Sequence, residues 1–191
     1  MYTAKNYTHL LGLNGFSDNA LNTHFALYEG YVKNTNSILE SFRNGSLSHN
    51  SIEGNEVKRR FGWEYNGMKL HEIYFESLSK EARSINNESK LAKKINETYG
   101  SFDQWLNIYK NISTMRGIGW TVLIKDENGD LFTLWFEEHN TGHFANSKVL
   151  LCIDMLEHAF IIDYGIKKVD YIEAFLKSVD WKVIEERFEN K

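Results

Sequence analysis

Apolar residues near the start of the chain recur at helical spacing. They begin behind Ser17, a residue type that caps helices, and fall on one helical face. The positions on this face are Leu21, Phe25, Tyr28, Val32, Ile38 and Phe42. This spacing predicts a long helix, or a helix pair, over residues 18–43.

A polar stretch from Asn44 to Asn55 then breaks the pattern. Helical spacing resumes at about residues 67–78, where His71 lies on the same apolar stripe as Tyr74. We therefore predict a second helix over this range. The two helices would form an N-terminal helical hairpin, which we assign to a first domain, residues 1–82.

Further helices are predicted on both sides of a β-rich region. Residues 86–115 have the pattern of two helices that meet at Gly100, where Ser101 can cap the second one. The C-terminal part of the chain returns to helical spacing over 170–178 and again over 181–188.

The region between these helices has the composition of β-strands. β-Branched and aromatic residues dominate 118–125 and 131–138, and Asn128-Gly129 between them is a strong hairpin signal. The apolar run 149–153 supplies a third strand. The order of elements predicts an α+β fold, whose second domain, residues 83–191, holds a small three-stranded antiparallel sheet and helices.

Composition excludes several classes of protein. With 191 residues and 42% hydrophobic content, the chain can bury a sizeable core. The net charge of −4, without a basic block, argues against a nucleic-acid partner. Short apolar runs and the absence of a signal-peptide pattern predict a soluble, cytoplasmic protein without a membrane span. The single cysteine, Cys152, excludes an internal disulfide, and its apolar neighbours favour a buried structural role.

Asp154 and His158 are the first candidates for chemistry. Asp154 closes the apolar run 149–153, so it lies where a strand ends. If a helical turn begins there, His158 faces the same way four residues later, and both side chains can reach one metal ion. Such a pair is a weak signal alone, but both groups would be poorly solvated in this apolar setting.

Other histidines strengthen the hypothesis of a metal site. His24, His71 and His139 lie in or beside apolar elements, whereas His9 and His49 fall in polar segments. A lone histidine on an apolar face is more often a hydrogen-bonded core residue than a ligand. Several of them together with an aspartate favour a site for a first-row metal such as iron or manganese, with room for a solvent ligand.

Several segments resemble motifs of the iron/manganese superoxide dismutases. Residues 154–160, with the sequence DMLEHAF, resemble the family's D-x-W-E-H-A-Y signature. Residues 66–75 resemble the second-helix segment, which ends in a ligand histidine and aromatics. The other matches are 31–36 to Y-V-x-N-x-N, 117–120 to G-S-G-W, 169–171 to R-P-D-Y and 181–188 to W-x5-R-F. In this order they span roughly residues 17 to 188.

The resemblance implies one catalytic iron or manganese ion per subunit. The implied ligands are His24, His71, Asp154 and His158. The implied activity is superoxide dismutation, in which one-electron cycling of the ion converts superoxide to oxygen and hydrogen peroxide. Tyr31 would be the gateway phenol at the mouth of the substrate funnel, and Trp120 would wall the cavity. For each of these two aromatic residues, core packing is the alternative.

His139 follows the second predicted strand, where part of the family has a glutamine and other branches have a histidine. In the family this residue forms a hydrogen bond to the solvent molecule on the metal. The alternative glutamine position, four residues before His71, is Gly67 and cannot supply the bond. The resemblance therefore implies this role for His139, with His143 as the second candidate.

The chain departs from the family pattern at several places. Leu156 stands where the signature has tryptophan, and Phe160 stands where it has tyrosine. The family usually places the first ligand eight residues before the gateway tyrosine. Strict counting back from Tyr31 gives Thr23, and His24 is one residue later. We assign His24, because threonine is a poor replacement for a neutral nitrogen ligand.

In the family, the residue before the last ligand reaches across a twofold interface to the partner's ligand histidine. Glu157 is the matching residue, so the resemblance implies a homodimer or a tetramer. A solvated helix residue is the simpler interpretation of Glu157. The alternative function is a catalytically retired protein that keeps the fold for a structural or interaction role. A metal-dependent hydrolase is disfavoured, since no general base lies beside a site for an organic substrate.

Overall fold

Residues 1–190, which the computed structural model describes, form an α+β fold as predicted. Two long helices come first, then two shorter helices, a sheet and three C-terminal helices. In order, the elements are α1 (Asp18–Arg43), α2 (Ile52–Glu76), α3 (Lys90–Tyr99), α4 (Phe102–Ser113), β1 (Gly119–Lys125), β2 (Leu131–Glu137), β3 (Lys148–Asp154), α5 (Ile161–Tyr164), α6 (Lys168–Ser178) and α7 (Trp181–Glu189). Short 3-10 helices cover Thr8–Leu10 and Glu157–Ala159.

Helix α1 confirms the prediction for residues 18–43. The Ser17 hydroxyl oxygen accepts a hydrogen bond from the Ala20 amide at 3.1 Å, which satisfies an amide that the helix itself leaves free. Likewise, Ser101 caps α4 by accepting from the Gln104 amide at 3.1 Å. Side-chain caps of this kind depend on neighbouring residues alone, so the sequence predicts them well.

The predicted start of the second helix was wrong. Helix α2 begins at Ile52, about four turns before residue 67, and Ser51 caps it by accepting from the Gly54 amide at 2.9 Å. Most side chains in this first part of α2 are exposed or half-buried. A helix that buries little has no apolar stripe to reveal it, and its cap lay inside the polar stretch 44–55.

The three strands form the predicted antiparallel sheet, and their order in it is β2-β1-β3. Asn128 and Gly129 lie in the loop between β1 and β2, where Gly129 has φ +89° and the Asp126 carboxylate accepts two backbone amides. In the central strand, Trp120 pairs with Phe136 on one side and with Asp154 on the other. This register brings Trp120 beside the end of β3.

One hydrophobic core draws residues from both predicted domains, including Phe25 and Tyr74 from the hairpin and Leu151 and Phe175 from the rest of the chain. The division at residue 82 stays a prediction. Cys152 lies fully buried in this core, and burial raises the pKa of its thiol. Within residues 1–190, no helix combines the length and apolar character needed to cross a membrane.

Candidate metal centre

Four side chains meet at the end of β3. The Asp154 Oδ2 atom lies 3.2 Å from His24 Nε2, 3.4 Å from His71 Nε2 and 3.0 Å from His158 Nε2. The four potential ligand atoms all lie within 4.8 Å of one another. Atoms that share one ion at metal–ligand distances of about 2.0–2.2 Å are separated by about 3–4 Å. The spacing therefore suits a single ion between them.

The helical hairpin and the sheet each supply part of the cluster. Helix α1 carries His24 and α2 carries His71, and the two rings meet edge to face with centroids 4.9 Å apart. Asp154 is the last residue of β3 and is fully buried. The cluster forms where the two helices pack against the carboxyl end of this strand.

The expected helical turn from Asp154 to His158 was wrong, although the two side chains do meet. Leu156 keeps extended backbone angles, φ −75° and ψ 147°, and the 3-10 helix starts only at Glu157. Asp154 Oδ1 accepts the Leu156 amide at 2.9 Å, which turns the chain back toward the carboxylate. The bond from the Leu156 amide to the Asp154 side chain thus helps to bring His158 back to Asp154, which a helical turn was predicted to do.

His71 provides the test of whether a cation fits. Its Nδ1 lies 2.6 Å from the Gly67 carbonyl oxygen, which only accepts, so Nδ1 carries the proton. In the neutral ring, Nε2 then presents a lone pair, and this buried atom has no hydrogen-bond partner in the described part of the chain. It faces the Asp154 carboxylate, which is also an acceptor. Two buried acceptors that face each other need a cation or a proton between them, so the donor set fits a metal ion.

The electrostatics of the cluster point the same way. Burial lowers the pKa of His24 and His71, which favours the neutral form that binds metals. Burial alone would raise the pKa of Asp154, but His158 and His24 outweigh it and hold that pKa well below its usual value. For His158, burial lowers the pKa but the Asp154 charge prevails and raises it. A proton and a metal ion therefore compete for His158.

His24, and not Thr23, takes part in this cluster. The His24 side chain is buried, whereas Thr23 is exposed and donates its hydroxyl to the Asn19 carbonyl within the helix at 2.8 Å. The strict family register at Thr23 therefore does not supply a group to the cluster.

The other predicted site residues form a hydrogen-bonded chain beside the cluster. Tyr31 Oη lies 2.7 Å from His139 Nε2, and the Trp120 indole N–H donates to His139 Nδ1 at 3.0 Å. The rings of Tyr31 and Trp120 also pack against His71, with centroids 5.2 Å and 5.1 Å away. His143 is exposed and turns elsewhere, since its Nε2 donates to the His139 backbone carbonyl at 2.8 Å.

The departures from the family pattern lie around the cluster. Leu156 is 7% exposed and belongs to the core. Phe160 packs on Tyr171 with ring centroids 5.6 Å apart, and the Tyr171 hydroxyl donates to the Asp154 backbone carbonyl at 2.8 Å. Glu157 is exposed in the single chain, next to the half-buried His158.

Sequence reasoning missed two residues that shape the site. The Trp63 ring meets His139 edge to face, with centroids 4.8 Å apart. Gly67 leaves room for Tyr31, because a Cβ at this position would lie 2.7 Å from the Tyr31 ring. Both residues belong to α2, and placing its start near residue 67 hid Trp63.

Comparisons with known proteins agree on one family. The profile of the C-terminal domain of iron/manganese superoxide dismutases matches residues 87–187. A protein of Aquifex pyrophilus named as an iron superoxide dismutase is 35% identical over 185 residues, which cover 93% of this chain and 86% of the relative. One of Saccharolobus solfataricus, also named as an iron superoxide dismutase, is 32% identical over 168 residues, covering 85% of this chain and 80% of the relative.

Proposed function

The chain belongs to the iron/manganese superoxide dismutase family, and we propose that it disproportionates superoxide to oxygen and hydrogen peroxide. The observation that carries this proposal is the buried cluster of three imidazoles and one carboxylate. His24, His71, Asp154 and His158 would hold one ion per subunit. When bound, the ion supplies one-electron redox chemistry, oxidising one superoxide to oxygen and reducing a second, with two protons, to hydrogen peroxide.

We propose iron as the resident ion. The two relatives above are named as iron proteins. Manganese is the alternative, because both ions accept the same nitrogen and oxygen ligands. Hydrogen bonds around the ligands tune the reduction potential, so the two metal forms of this protein should differ in rate more than in binding.

Trp120, His139 and Tyr31 would control protons at the site. Because Trp120 donates to His139 Nδ1, the neutral imidazole carries its proton on Nε2. Burial lowers the pKa of His139 to about 4, so the ring is neutral near pH 7. Its Nε2–H then donates to the Tyr31 oxygen. His139 therefore does not accept the Tyr31 hydroxyl proton, and Tyr31 can donate that proton to another group.

Tyr31 is therefore the proposed proton carrier next to the substrate. Burial, together with the charges of Asp154 and Glu64, raises the pKa of its phenol, so the proton stays in place at neutral pH. The reduction of superoxide consumes protons, and a phenol held by His139 keeps one at a fixed position. We propose His139, rather than His143, as the hydrogen-bonding partner of the solvent ligand, with its Nε2–H shared between that solvent and the Tyr31 oxygen. His143 is exposed and donates its Nε2–H to a backbone carbonyl.

We also propose a twofold dimer around Glu157. This carboxylate is exposed in the single chain beside His158, whose side chain is 21% exposed. Two large apolar side chains are exposed nearby in the sequence: Leu27 lies on α1, which also carries His24, and Ile161 begins α5, which follows His158. A second copy would cover these apolar groups and bring each Glu157 to the partner's imidazole.

Metal reconstitution tests the proposed activity. Metal-free protein would be loaded separately with iron and manganese, and the metal content and the rate of superoxide consumption would be measured for each form. We expect one tightly bound ion per chain and activity in at least one form. Asp154→Asn should lose both properties, whereas Asp103→Asn, an exposed aspartate on α4, should keep both.

Two results would contradict the proposal in different ways. Full metal content without superoxide dismutase activity would support the catalytically retired alternative. Full metal content in Asp154→Asn would instead show that the ligand assignment is wrong. A retired protein has no physical reason to keep a buried imidazole lone pair that finds no hydrogen-bond partner among residues 1–190, as His71 does.

A further inference from the structure

The C-terminal motif that contains Arg187 has no role in the chemistry described so far. Arg187 lies on α7, and its side chain is only 13% exposed. The guanidinium reaches the junction between the last turn of α2 and the middle of β3. It donates to four acceptors there, which are the Ser77 hydroxyl at 2.7 Å, the Leu150 carbonyl at 3.0 Å, the Ile73 carbonyl at 3.2 Å and the Glu76 carboxylate at 3.2 Å.

Three of these acceptors belong to the two elements that carry ligands, and the fourth, Ser77, is the C-cap of α2. Ile73 follows His71 by two residues on α2, and Leu150 precedes Asp154 by four residues on β3. The separation of His71 Nε2 and Asp154 Oδ2, 3.4 Å, depends on how α2 sits against this strand. We infer that Arg187 is a positioning residue of the metal centre, because it fixes α2 to β3 and so sets the gap between two of the four ligands.

The chemistry of the guanidinium suits this role. Its planar fork of N–H donors can hold several acceptors in fixed directions, whereas a lysine ammonium can follow a moving acceptor. Two of the acceptors are backbone carbonyls, which cannot swing away as a side chain can. Without Arg187, the Leu150 carbonyl would lose this donor, and the last turn of α2 would lose a cap.

A second arginine in the chain provides a matched control. Arg83 donates twice to the Asp180 carboxylate, at 2.9 Å and 2.6 Å, and so ties α7 to the segment after α2. Within residues 1–190, the side chains of Arg83 and Asp180 bond to neither α2 nor β3. The Asp180 backbone amide does donate to the Ser77 carbonyl at the end of α2, and a change at the Arg83 side chain leaves this bond in place. Arg83→Met therefore removes a bidentate but more exposed arginine clamp and leaves the hydrogen bonds of Arg187 at the α2–β3 junction in place, so the two variants are compared at equal loss of stability.

The experiment compares how fast iron leaves the protein. Iron-loaded wild type, Arg187→Met, Arg187→Lys and Arg83→Met would be mixed with excess chelator, and the free energy of unfolding would be measured on each metal-free protein. Arg187→Met should release iron about tenfold faster than Arg83→Met at equal loss of stability, as expected when one or two buried hydrogen bonds are lost. Arg187→Lys should lie between Arg187→Met and wild type.

A second measurement does not depend on a bound ion. Amide hydrogen exchange of the metal-free proteins should show reduced protection at both the last turn of α2 and β3 in Arg187→Met, and at neither in Arg83→Met. If Arg187→Met does not fold, the same two measurements on Arg187→Lys decide the question.

The inference rests on the proposed metal centre, but its failure can be told apart from failure of the proposed function. Equal iron release from the Arg187 and Arg83 variants, at equal stability, would overturn the positioning role while leaving superoxide dismutase activity untouched. Unchanged exchange at both elements would overturn it as well. A wild-type protein that binds no iron or manganese would overturn the proposed function, and the exchange comparison would still test the α2–β3 clamp.

Discussion

Asp154 forms hydrogen bonds at the site through both of its carboxylate oxygens and through its backbone carbonyl. One carboxylate oxygen faces His24, His71 and His158, and the other accepts the Leu156 amide. Its backbone carbonyl accepts the Tyr171 hydroxyl. An alanine here would remove a ligand and also the bond that turns the chain. Asparagine keeps the shape and changes the charge, so it is the better test of metal binding.

The choice between His24 and Thr23 leads to the first prediction. Only the His24 imidazole points into the cluster, so His24→Ala should lower metal affinity by at least about tenfold and abolish activity. Thr23→Ala removes only an exposed hydroxyl bonded within its own helix, and metal content should be unchanged. Metal analysis after dialysis checks both variants. Retained metal in His24→Ala, with loss in Thr23→Ala, would restore the strict family register.

His139 gives a prediction about tuning. His139→Gln should keep the ion, because His139 is not one of the four clustered ligand groups. The variant should change the ratio of iron-dependent to manganese-dependent activity, because we propose that this residue, which is hydrogen-bonded to Tyr31, also bonds to the solvent ligand. Rates of the two reconstituted forms measure the ratio. If the ratio is the same as in wild type, the hydrogen bond to the solvent ligand would have to come from His143 or from no side chain.

Gly67 gives a prediction about packing. In Gly67→Ala the new methyl group would meet the Tyr31 ring, so we expect a loss of about 1–3 kcal/mol in stability and a displaced Tyr31–His139 bond. Gly62→Ala on the same helix is the control, since its nearest neighbour would be Asn140 at an ordinary 3.5 Å. That change should stabilise by about 0.4–1 kcal/mol. Chemical unfolding measures both. Equal changes in stability for the two variants would mean that the Tyr31 ring moves aside without destabilising the protein.

At the scale of elements, the site depends on how the hairpin meets the sheet. Helices α1 and α2 bring one histidine each, and β3 ends in the aspartate. The 3-10 helix after β3 returns His158 to the same point. The C-terminal helix α7 then holds these elements together from outside through Arg187 and through its own cap.

The cap of α7 gives a prediction that depends on pH. Asp180 accepts the Lys182 amide and both donors of Arg83. Burial tends to raise the pKa of Asp180, but Arg83 outweighs it and the pKa is lowered. A lowered pKa in the folded state gives stability above the ordinary aspartate value of about 3.9, and this stability is lost as the pH falls through the folded value.

Asp180→Asn keeps a side chain that can cap the helix but removes the charge that pairs with Arg83, so it should cost at most about 1 kcal/mol at pH 7. The gap between wild type and variant should shrink as the pH falls below about 3.9, since wild-type Asp180 becomes protonated. Urea unfolding at several pH values measures this gap. A gap that stays constant down to pH 2 would show that the Asp180 charge contributes nothing.

For the whole molecule, the prediction concerns assembly. If Glu157 reaches the partner's ligand histidine, Glu157→Ala should weaken the dimer and also lower metal retention, because an imidazole N–H loses its acceptor. Sedimentation and metal analysis measure the two effects together. Glu53→Ala, an exposed glutamate in the first turn of α2, is a control for charge. A wild-type protein that is monomeric and fully active would contradict the dimer, whatever the state of the metal site.

The sequence by itself determined the elements that depend on near neighbours. The spacing of apolar residues predicted α1 and the C-terminal helices, serine residues marked the caps, and β-branched residues marked the strands. The motifs, of which the one around Asp154 and His158 is the most specific, predicted the family, and the resemblance implied the four residues that form the cluster. These signals are local, because helical and strand periods repeat within a few residues of the chain.

Only the tertiary structure decided which of these groups meet. Tyr31 and His139 are 108 residues apart in the sequence, and nothing near either residue shows that they share a hydrogen bond. The placement of His24 over Thr23, and the space that Gly67 leaves for the Tyr31 ring, likewise depend on contacts between separate elements. The physical reason is that packing fixes the side-chain positions of distant segments jointly, whereas the pattern along the chain records only what each segment buries.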